Sequence, residues 1–310
     1  MVIGIVWGWK RKISYKTGEE VMTWKQRMLG VLIAMLGCVL AVPVQAQETT
    51  RTIEHVSGDL YKFTNKFHAS VFLVTDEGII ATDPINAEAA AWLKSEFDKR
   101  FGKPVKFLIY SHHHADHVSG GEAFDAAEIV AHENIVDDLE KDQVPTPLPT
   151  TTFTDTKTIT LGGQSVELIY LGSGHSDNLI AMKFPGEQAL FVVDIVSAHR
   201  LPYQTIGAGR DRLDGIIEQI RKAESITGYD KLITAHSAPY ILIAKPDMLG
   251  QTRGYIEALR DAVQAAIDAG KSLDEIKQTV KMASYQNWFM YEQFLPLNIE
   301  GMYTHLGGKP

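Results

Sequence analysis

The stretch Val105–His117, VKFLIYSHHHADH, decides the fold of this chain of 310 residues. Its first residues are almost all apolar, which predicts a buried β-strand. A polar run follows directly, and Val118–Gly121 (VSGG) makes the chain turn soon afterwards. In an extended backbone, residues two apart face the same side, so His112 and His114 can bind one cation together. The stretch therefore predicts a metal site at the end of a strand.

Five further residues extend this predicted site. Asp116 and His117 lie at the turn, where they can face a second position beside the first. His175, Asp194 and His236 each sit at the end of a later predicted strand or in the loop that follows it. Strand ends on one sheet edge give metal ligands the rigid mounting that they need. We therefore expect all seven side chains to converge.

The remaining pattern predicts two sheets packed face to face and covered by helices on both sides. No repeat or linker divides residues 47–310, so we expect one domain there. The predicted strands are 60–63, 70–75, 78–83, 105–110, 128–131, 156–161, 164–170, 178–184, 189–194 and 231–234, and the predicted helices are 86–101, 133–141, 214–227, 248–269 and 272–280.

The pattern HxHxDH, followed in order by His, Asp and His, resembles the metallo-β-lactamase superfamily. By element order the resemblance extends over roughly residues 55–260. It implies an α/β (α+β) fold, the four-layer αβ/βα metallo-β-lactamase-type sandwich. It also implies a first metal position formed by His112, His114 and His175. A second metal position is formed by Asp116, His117 and His236. Asp194 bridges the two.

The chemistry implied by this resemblance is metal-dependent hydrolysis. The only cysteine, Cys38, lies in the N-terminal segment, so a later site must use His and carboxylate ligands, which suit zinc. The resemblance implies two Zn²⁺ ions per chain, which bring the pKa of a shared water to around neutrality. The hydroxide would attack a carbonyl, and Asp116 would act as the catalytic residue that passes a proton to the leaving group.

We expect the substrate to be an ester, lactone, thioester or amide. An ester or lactone is favoured because an Asp at the position of Asp194 is more typical of the family's lactonases, thioesterases and glyoxalase-type hydrolases. One alternative is a β-lactamase of the subclass that uses only His and Asp ligands. Another is an oxidoreductase that resembles the persulfide dioxygenases and holds one iron on two His and one Asp. A non-catalytic binding protein is disfavoured by the intact ligand set.

Other residues near the motif receive secondary assignments. Asp83 resembles an early acid of the family and is assigned to support a ligand. We expect specificity to depend on the loops 61–69, 142–155 and 196–213. Substrate contacts are assigned to His113, His199 and Tyr203. Four further histidines lack a partner at ligand spacing and are interpreted as structural or exposed: His55, His68, His132 and His305.

Residues 1–46 have the layout of a secretory signal. Basic residues precede the apolar run Met28–Val44, and Val44-Gln45-Ala46 is typical of a cleavage site. Cleavage after Ala46 predicts a periplasmic or secreted protein. The alternative is a retained membrane anchor, although the run is a little short for one. Met22 offers a second start point.

Composition limits the partners. The chain is 45% hydrophobic and 22% charged, which is typical of a globular protein rather than a disordered or disulfide-stapled one. Its net charge is −8, and the part after residue 46 is more acidic still. Such a surface repels phosphate backbones, so nucleic-acid binding is disfavoured and we expect no nucleic-acid partner. We expect a small-molecule substrate and no stable membrane span after signal cleavage; the sequence leaves the oligomeric state open.

Overall fold

Short apolar runs separated by turns form two β-sheets in the computed structural model, which describes residues 50–203, 206 and 213–308. The predicted signal segment, residues 1–46, lies outside the described residues. The first sheet has seven strands in the order β1 to β7, and the second has five in the order β12-β11-β10-β9-β8. The strands are β1 (Arg51–Ser57), β2 (Leu60–Asn65), β3 (His68–Thr75), β4 (Gly78–Thr82), β5 (Val105–Ile109), β6 (Glu128–His132), β7 (Thr151–Phe153), β8 (Thr156–Leu161), β9 (Gln164–Tyr170), β10 (Ile180–Phe184), β11 (Ala189–Val192) and β12 (Lys231–Thr234).

Strand direction brings the predicted ligands to one edge of each sheet. Strands β4 to β7 pair in parallel, so the ends of β4 and β5 point the same way. In the second sheet β11 and β12 are parallel, and β9 runs in the same direction because both β9 and β11 are antiparallel to β10. The segments after β9, β11 and β12 therefore emerge at a common edge.

Helices cover the outer face of each sheet. The helices of the described residues are α1 (Ala87–Arg100), α2 (Ala115–Val118), α3 (Ile135–Lys141), α4 (Leu213–Glu224), α5 (Met248–Asp268), α6 (Leu273–Thr279) and α7 (Tyr291–His305), with 3₁₀ turns at Gly121–Phe124 and Ala283–Tyr285.

Alternation along the strands divides the core into two apolar clusters. On β3, Phe72 points to the cluster shared with α1, whereas Val71 and Leu73 point to the cluster between the sheets. That second cluster continues through Phe191 to α4 and α5, where it includes Leu259. The layers are helix, sheet, sheet and helix, and the predicted fold class is confirmed.

Four elements were not predicted. β1 is an edge strand in which no residue is fully buried, and β7 has only three residues. α2 lies inside the HHHADH motif itself. α7 contains Pro296, a residue that normally argues against a helix interior. None of the helices in the described ranges combines the length and apolarity that a membrane span requires.

Candidate metal centre

The end of β5 carries the first ligands and is tied to both sheets. The backbone N–H of Ser111 donates to Oδ1 of Asp83 at 2.8 Å, which joins the ends of β5 and β4. The Ser111 carbonyl accepts from the N–H of Ile180 on β10 at 3.0 Å. The three histidines that follow are thus fixed where the two sheet edges meet.

The first group of side chains is His112, His114, His175 and Asp194, whose ligand atoms all lie within 4.8 Å of one another. Nε2 of His175 is 3.0 Å from Nδ1 of His114 and 3.0 Å from Oδ2 of Asp194. Nε2 of His112 is also 3.0 Å from Oδ2 of Asp194. Donor atoms bound at about 2.0–2.1 Å to one tetrahedral zinc ion lie about 3.3 Å apart, so these spacings fit a shared cation.

The second group is His117, His236 and again Asp194. Nε2 of His117 and Nε2 of His236 are 3.3 Å apart. Oδ1 of Asp194 is 3.1 Å from Nε2 of His117 and 3.0 Å from Nε2 of His236. The two oxygens of one carboxylate therefore face two different groups of histidines.

Asp116 lies at the margin of the second group. Its Oδ2 is 3.8 Å from Nε2 of His117 and 4.0 Å from Nε2 of His236. Its side chain is 53% exposed, and its nearest partner is Nε2 of His68 at 3.1 Å. His68, Asp116 and His236 form a third group of candidate ligands. All seven predicted side chains are thus brought together, with one histidine in addition.

Two buried polar atoms show that the groups suit a cation. Nε2 of His112 and Oδ1 of Asp194 are buried and make no hydrogen bond with the described residues. Burial by itself would raise the pKa of the Asp194 carboxyl, but the charge of His117 and the neighbouring imidazoles of His112 and His114 hold that pKa well below its ordinary value. An anionic carboxylate among imidazole nitrogens is a donor set that fits zinc.

Neighbouring groups orient the ligand rings. Nδ1 of His117 lies 3.2 Å from Oδ2 of Asp83, the residue assigned to this supporting role. Nδ1 of His236 lies 2.9 Å from the carbonyl oxygen of Phe67, on the β2–β3 hairpin. Each contact holds one ring nitrogen and turns the other toward the centre, as in zinc sites of known proteins.

The backbone is strained at the same place. Asp83 and Asp194 have φ values of 28° and 61°, and the β-branched Ile85 has 71°. Non-glycine residues in this left-handed region cost free energy and persist where the surrounding structure holds them, often at functional sites.

The family of this chain is shown by comparison with known proteins. Residues 84–236 match the sequence profile of the metallo-β-lactamase superfamily. The chain carries a metallo-β-lactamase superfamily domain.

Three curated relatives are similar to parts of the chain. The 2,4-dinitroanisole O-demethylase subunit alpha of Nocardioides sp. (strain JS1661) is 32% identical over 164 residues, which are 50% of this chain and 49% of that protein. The metallo-β-lactamase type 2 of Elizabethkingia meningoseptica is 29% identical over 177 residues, 53% of this chain and 70% of that protein. The linear primary-alkylsulfatase of Pseudomonas sp. (strain ATCC 19151) is 22% identical over 257 residues, 66% of this chain and 48% of that protein. The match thus spans about half the length of the first and third relatives.

Solved structures share the fold. A metallo-β-lactamase from Pontibacter korlensis aligns with 67% of this chain and 99% of its own, at a TM-score of 0.59 and 18% identity. A double mutant of the sec-alkyl sulfatase PisA1 aligns with 84% of this chain and 51% of its own, at a TM-score of 0.66 and 17% identity.

A cavity of about 500 Å³ opens onto the groups of candidate metal ligands in this superfamily domain. Tyr203, one of the three predicted substrate contacts, lines it. Two of the three predicted specificity loops also contribute, through Phe67 and through the segment after Asp194. The described residues of the loop 142–155 do not line the cavity.

The other two predicted substrate contacts, His113 and His199, do not line this cavity. His113 is buried on the opposite side of the chain from its neighbours, where its Nδ1 lies 3.1 Å from Nδ2 of Asn178. It follows the alternation of an extended backbone, which turns it away from the cavity that His114 lines. His199 packs its ring against Trp288, with ring centroids 6.3 Å apart, because its backbone joins the segment at Phe289.

Two polar residues of the cavity wall, His68 and Arg200, lie within the predicted specificity loops 61–69 and 196–213, but the sequence analysis assigned neither of them a role in the site. His68 was interpreted as structural or exposed, but the β2–β3 hairpin brings it to Asp116, and no local spacing signals that contact. The structural interpretation of His132 is confirmed, since its ring stacks on Tyr170 at 3.8 Å and its Nε2 lies 2.7 Å from the Thr154 carbonyl.

Proposed function

We propose that this chain is a metal-dependent hydrolase that binds two divalent cations, with zinc as the expected metal. The observation that carries the proposal is the carboxylate of Asp194, whose Oδ2 faces His112 and His175 and whose Oδ1 faces His117 and His236. A carboxylate in this arrangement fits a bridge between two cations. The superfamily domain supports hydrolysis as the reaction class.

Beyond holding the cations, the residues of the site have two tasks. When bound, two such cations supply a water of lowered pKa and a positive charge that polarises the substrate oxygen. Asp83 and the Phe67 carbonyl keep the rings of His117 and His236 turned toward the centre. Asp116 is the group at the cavity wall that can carry a proton on Oδ2, because its carboxylate is half exposed and is held by a hydrogen bond with His68.

The names of the relatives describe three classes of enzyme: an O-demethylase, β-lactamases and an alkylsulfatase. Those names describe the relatives, and the match covers only part of each of them. For this chain we favour an ester or lactone over a β-lactam. The basis is Asp194, since an Asp at this position resembles the family's lactonases and related hydrolases.

A hydrolysis panel on the zinc-loaded chain tests this proposal. The panel contains aryl esters, acyl-homoserine lactones, thioesters, nitrocefin, 2,4-dinitroanisole and alkyl sulfates. We expect turnover of esters or lactones that depends on added metal. The exposed His305→Ala variant serves as a control that should keep this activity, and His112→Ala should lose it. Turnover of none of these compounds by zinc-loaded protein, or one bound iron with no zinc, would contradict the proposal.

We further propose that the chain is exported, on the basis of the signal-like segment 1–46. Export predicts a mature N-terminus near Gln47. Expression of the full chain in a Gram-negative host, followed by fractionation and N-terminal sequencing, checks this. Recovery of a peptide that contains residue 30 from the mature protein would contradict cleavage.

A further inference from the structure

Arg200 is a buried cation in the wall of the cavity. It lies six residues after Asp194, and only 7% of its surface is exposed. Its backbone is fixed, since its N–H donates to the Ser197 carbonyl at 3.3 Å and the residue pairs with Phe289 in a parallel bridge. Its guanidinium carbon lies 5.4 Å from the centre of the Phe294 ring on α7. The position of this side chain is therefore set by the fold.

The guanidinium has no anionic partner among the described residues. Nε of Arg200 is buried and makes no hydrogen bond, and no ion pair is formed with a described carboxylate. Burial lowers the pKa of Arg200, and the charges of Tyr203 and Asp194 oppose that effect. An arginine stays protonated in proteins, so the buried charge persists. A buried charge without a partner destabilises the folded protein, which makes its retention informative.

The surroundings of Arg200 define what could pair with it. The cavity that Arg200 lines is also lined by Asp194 and His236, two of the candidate metal ligands. The same cavity is lined by apolar side chains that include Ile195, Ile216 and Ile256. The cavity thus combines a cationic guanidinium, an apolar wall and the ligand cluster within about 500 Å³, a size that suits a small molecule.

We propose that Arg200 forms an anion-binding subsite, and that the substrate is an apolar compound carrying an oxyanion group such as a carboxylate or a sulfate. The guanidinium donates charge-assisted hydrogen bonds to the oxyanion, and the isoleucine wall contacts the apolar body. The inference deepens the proposed function, because it names the substrate class of the same cavity. The binding step itself depends only on Arg200 and the apolar wall.

Direct binding tests the subsite without turnover. The probes are octanoate, octyl sulfate and 1-octanol, which share an apolar chain and differ in headgroup charge. We expect the two anions to raise the melting temperature of the metal-free chain more than 1-octanol does. Inorganic sulfate should weaken octanoate binding more than 1-octanol binding. An equal effect of all three probes would overturn the proposal, and a difference between octanoate and octyl sulfate identifies the preferred oxyanion.

The variant Arg200→Met separates a binding role from a structural one. We expect it to raise the melting temperature of the ligand-free chain, since an unpaired buried charge is removed, while the extra shift given by octanoate is lost. Arg260→Met, a surface arginine on α5, is the matched control and should keep that shift. A lower melting temperature together with a preserved octanoate shift would assign Arg200 to packing. If Arg200→Met does not fold, the sulfate competition on the unmodified chain still decides the question.

Kinetics on the zinc-loaded chain add a second readout. An aryl ester with a terminal carboxylate is compared with its methyl-capped neutral analogue. The ratio of their kcat/KM values should fall by about tenfold or more in Arg200→Met, as expected for loss of a hydrogen bond to a charged group. Octanoate binding without hydrolysis of any ester would leave the subsite intact and reject the proposed function. Hydrolysis without selective octanoate binding would support the proposed function and reject the anion-binding subsite.

Discussion

At the scale of single residues, Asp194 connects the two groups of histidines. Its left-handed backbone, with φ at 61°, directs the carboxylate into the cluster at the end of β11. His112, His175, His117 and His236 then lie about 3 Å from one or other of its oxygens. Asp116 and His68 differ from this buried set, because they lie at the cavity wall and are partly exposed.

Asp116 should be required for turnover and not for folding. We expect Asp116→Ala to lower kcat by about 10²–10⁴-fold, the contribution typical of a positioned proton carrier. The melting temperature should change little, because the carboxylate is 53% exposed and contacts chiefly His68. Steady-state kinetics and thermal unfolding measure the two effects, with the exposed Asp137→Asn as control. Full activity in Asp116→Ala would remove the assigned role.

His68 should act through Asp116. Its Nε2 lies 3.1 Å from Oδ2 of Asp116, and its ring packs edge-on against His236 with centroids 4.7 Å apart. We expect His68→Ala to lower kcat/KM by about 10–100-fold, as loss of a partner beside a metal ligand typically does. His55→Ala, an exposed histidine on β1, is the control. A His68→Ala variant that matches the control in activity and in zinc affinity would contradict this role.

At the scale of elements, β2 carries an unusual buried lysine. Lys62 is only 4% exposed, and its Nζ donates to the carbonyl oxygens of Ile241 and Leu242 at 3.2 and 3.4 Å. Burial lowers its pKa from 10.5 to about 8, against a smaller opposing effect of Glu54. The strand thus contacts the loop that follows His236 by burying a charge.

This burial predicts a pH-dependent stability. The unfolded chain binds the Lys62 proton more tightly than the folded chain does. The free energy of unfolding therefore increases as the pH rises from about 8 to 10.5. Below that window the cost is about 3 kcal/mol. In Lys62→Met this pH-dependent gain should be absent, which urea unfolding across the pH range measures. Lys99→Met, at an exposed position, should retain the wild-type slope. A wild-type slope in Lys62→Met would contradict the assignment.

At the scale of the whole molecule, the cations should stabilise the fold. The candidate ligands come from segments after β5, β9, β11 and β12, which lie in both sheets. A cation that binds these segments only in the folded chain raises the free energy of unfolding by about 4 kcal/mol at a thousandfold excess over its Kd. We expect a chelator to lower the melting temperature and zinc to restore it. An unchanged melting temperature on chelation would show that the cluster binds no metal.

Much of the fold followed from local patterns. Apolar runs such as Val105–Ile109 and the turn residues between β8 and β9 predicted the two sheets, and the HxHxDH motif predicted where the ligands converge. Side-chain roles that depend on distant segments did not follow. His68 contacts Asp116 although 48 residues separate them in the sequence. Arg200 is buried beside Phe294. No spacing in the sequence encodes either contact. His113, which was assigned to the substrate with its neighbours, is buried beside Asn178 and does not line the cavity.

The proposed site holds two cations through a shared carboxylate, and a metal count tests this proposal most directly. Elemental analysis of the purified zinc-loaded chain should find two zinc ions per chain. His175→Ala should lose the metal of the first group and retain the other, with His305→Ala as the unchanged control. A stoichiometry that is the same in His175→Ala as in the unmodified chain would contradict the assignment.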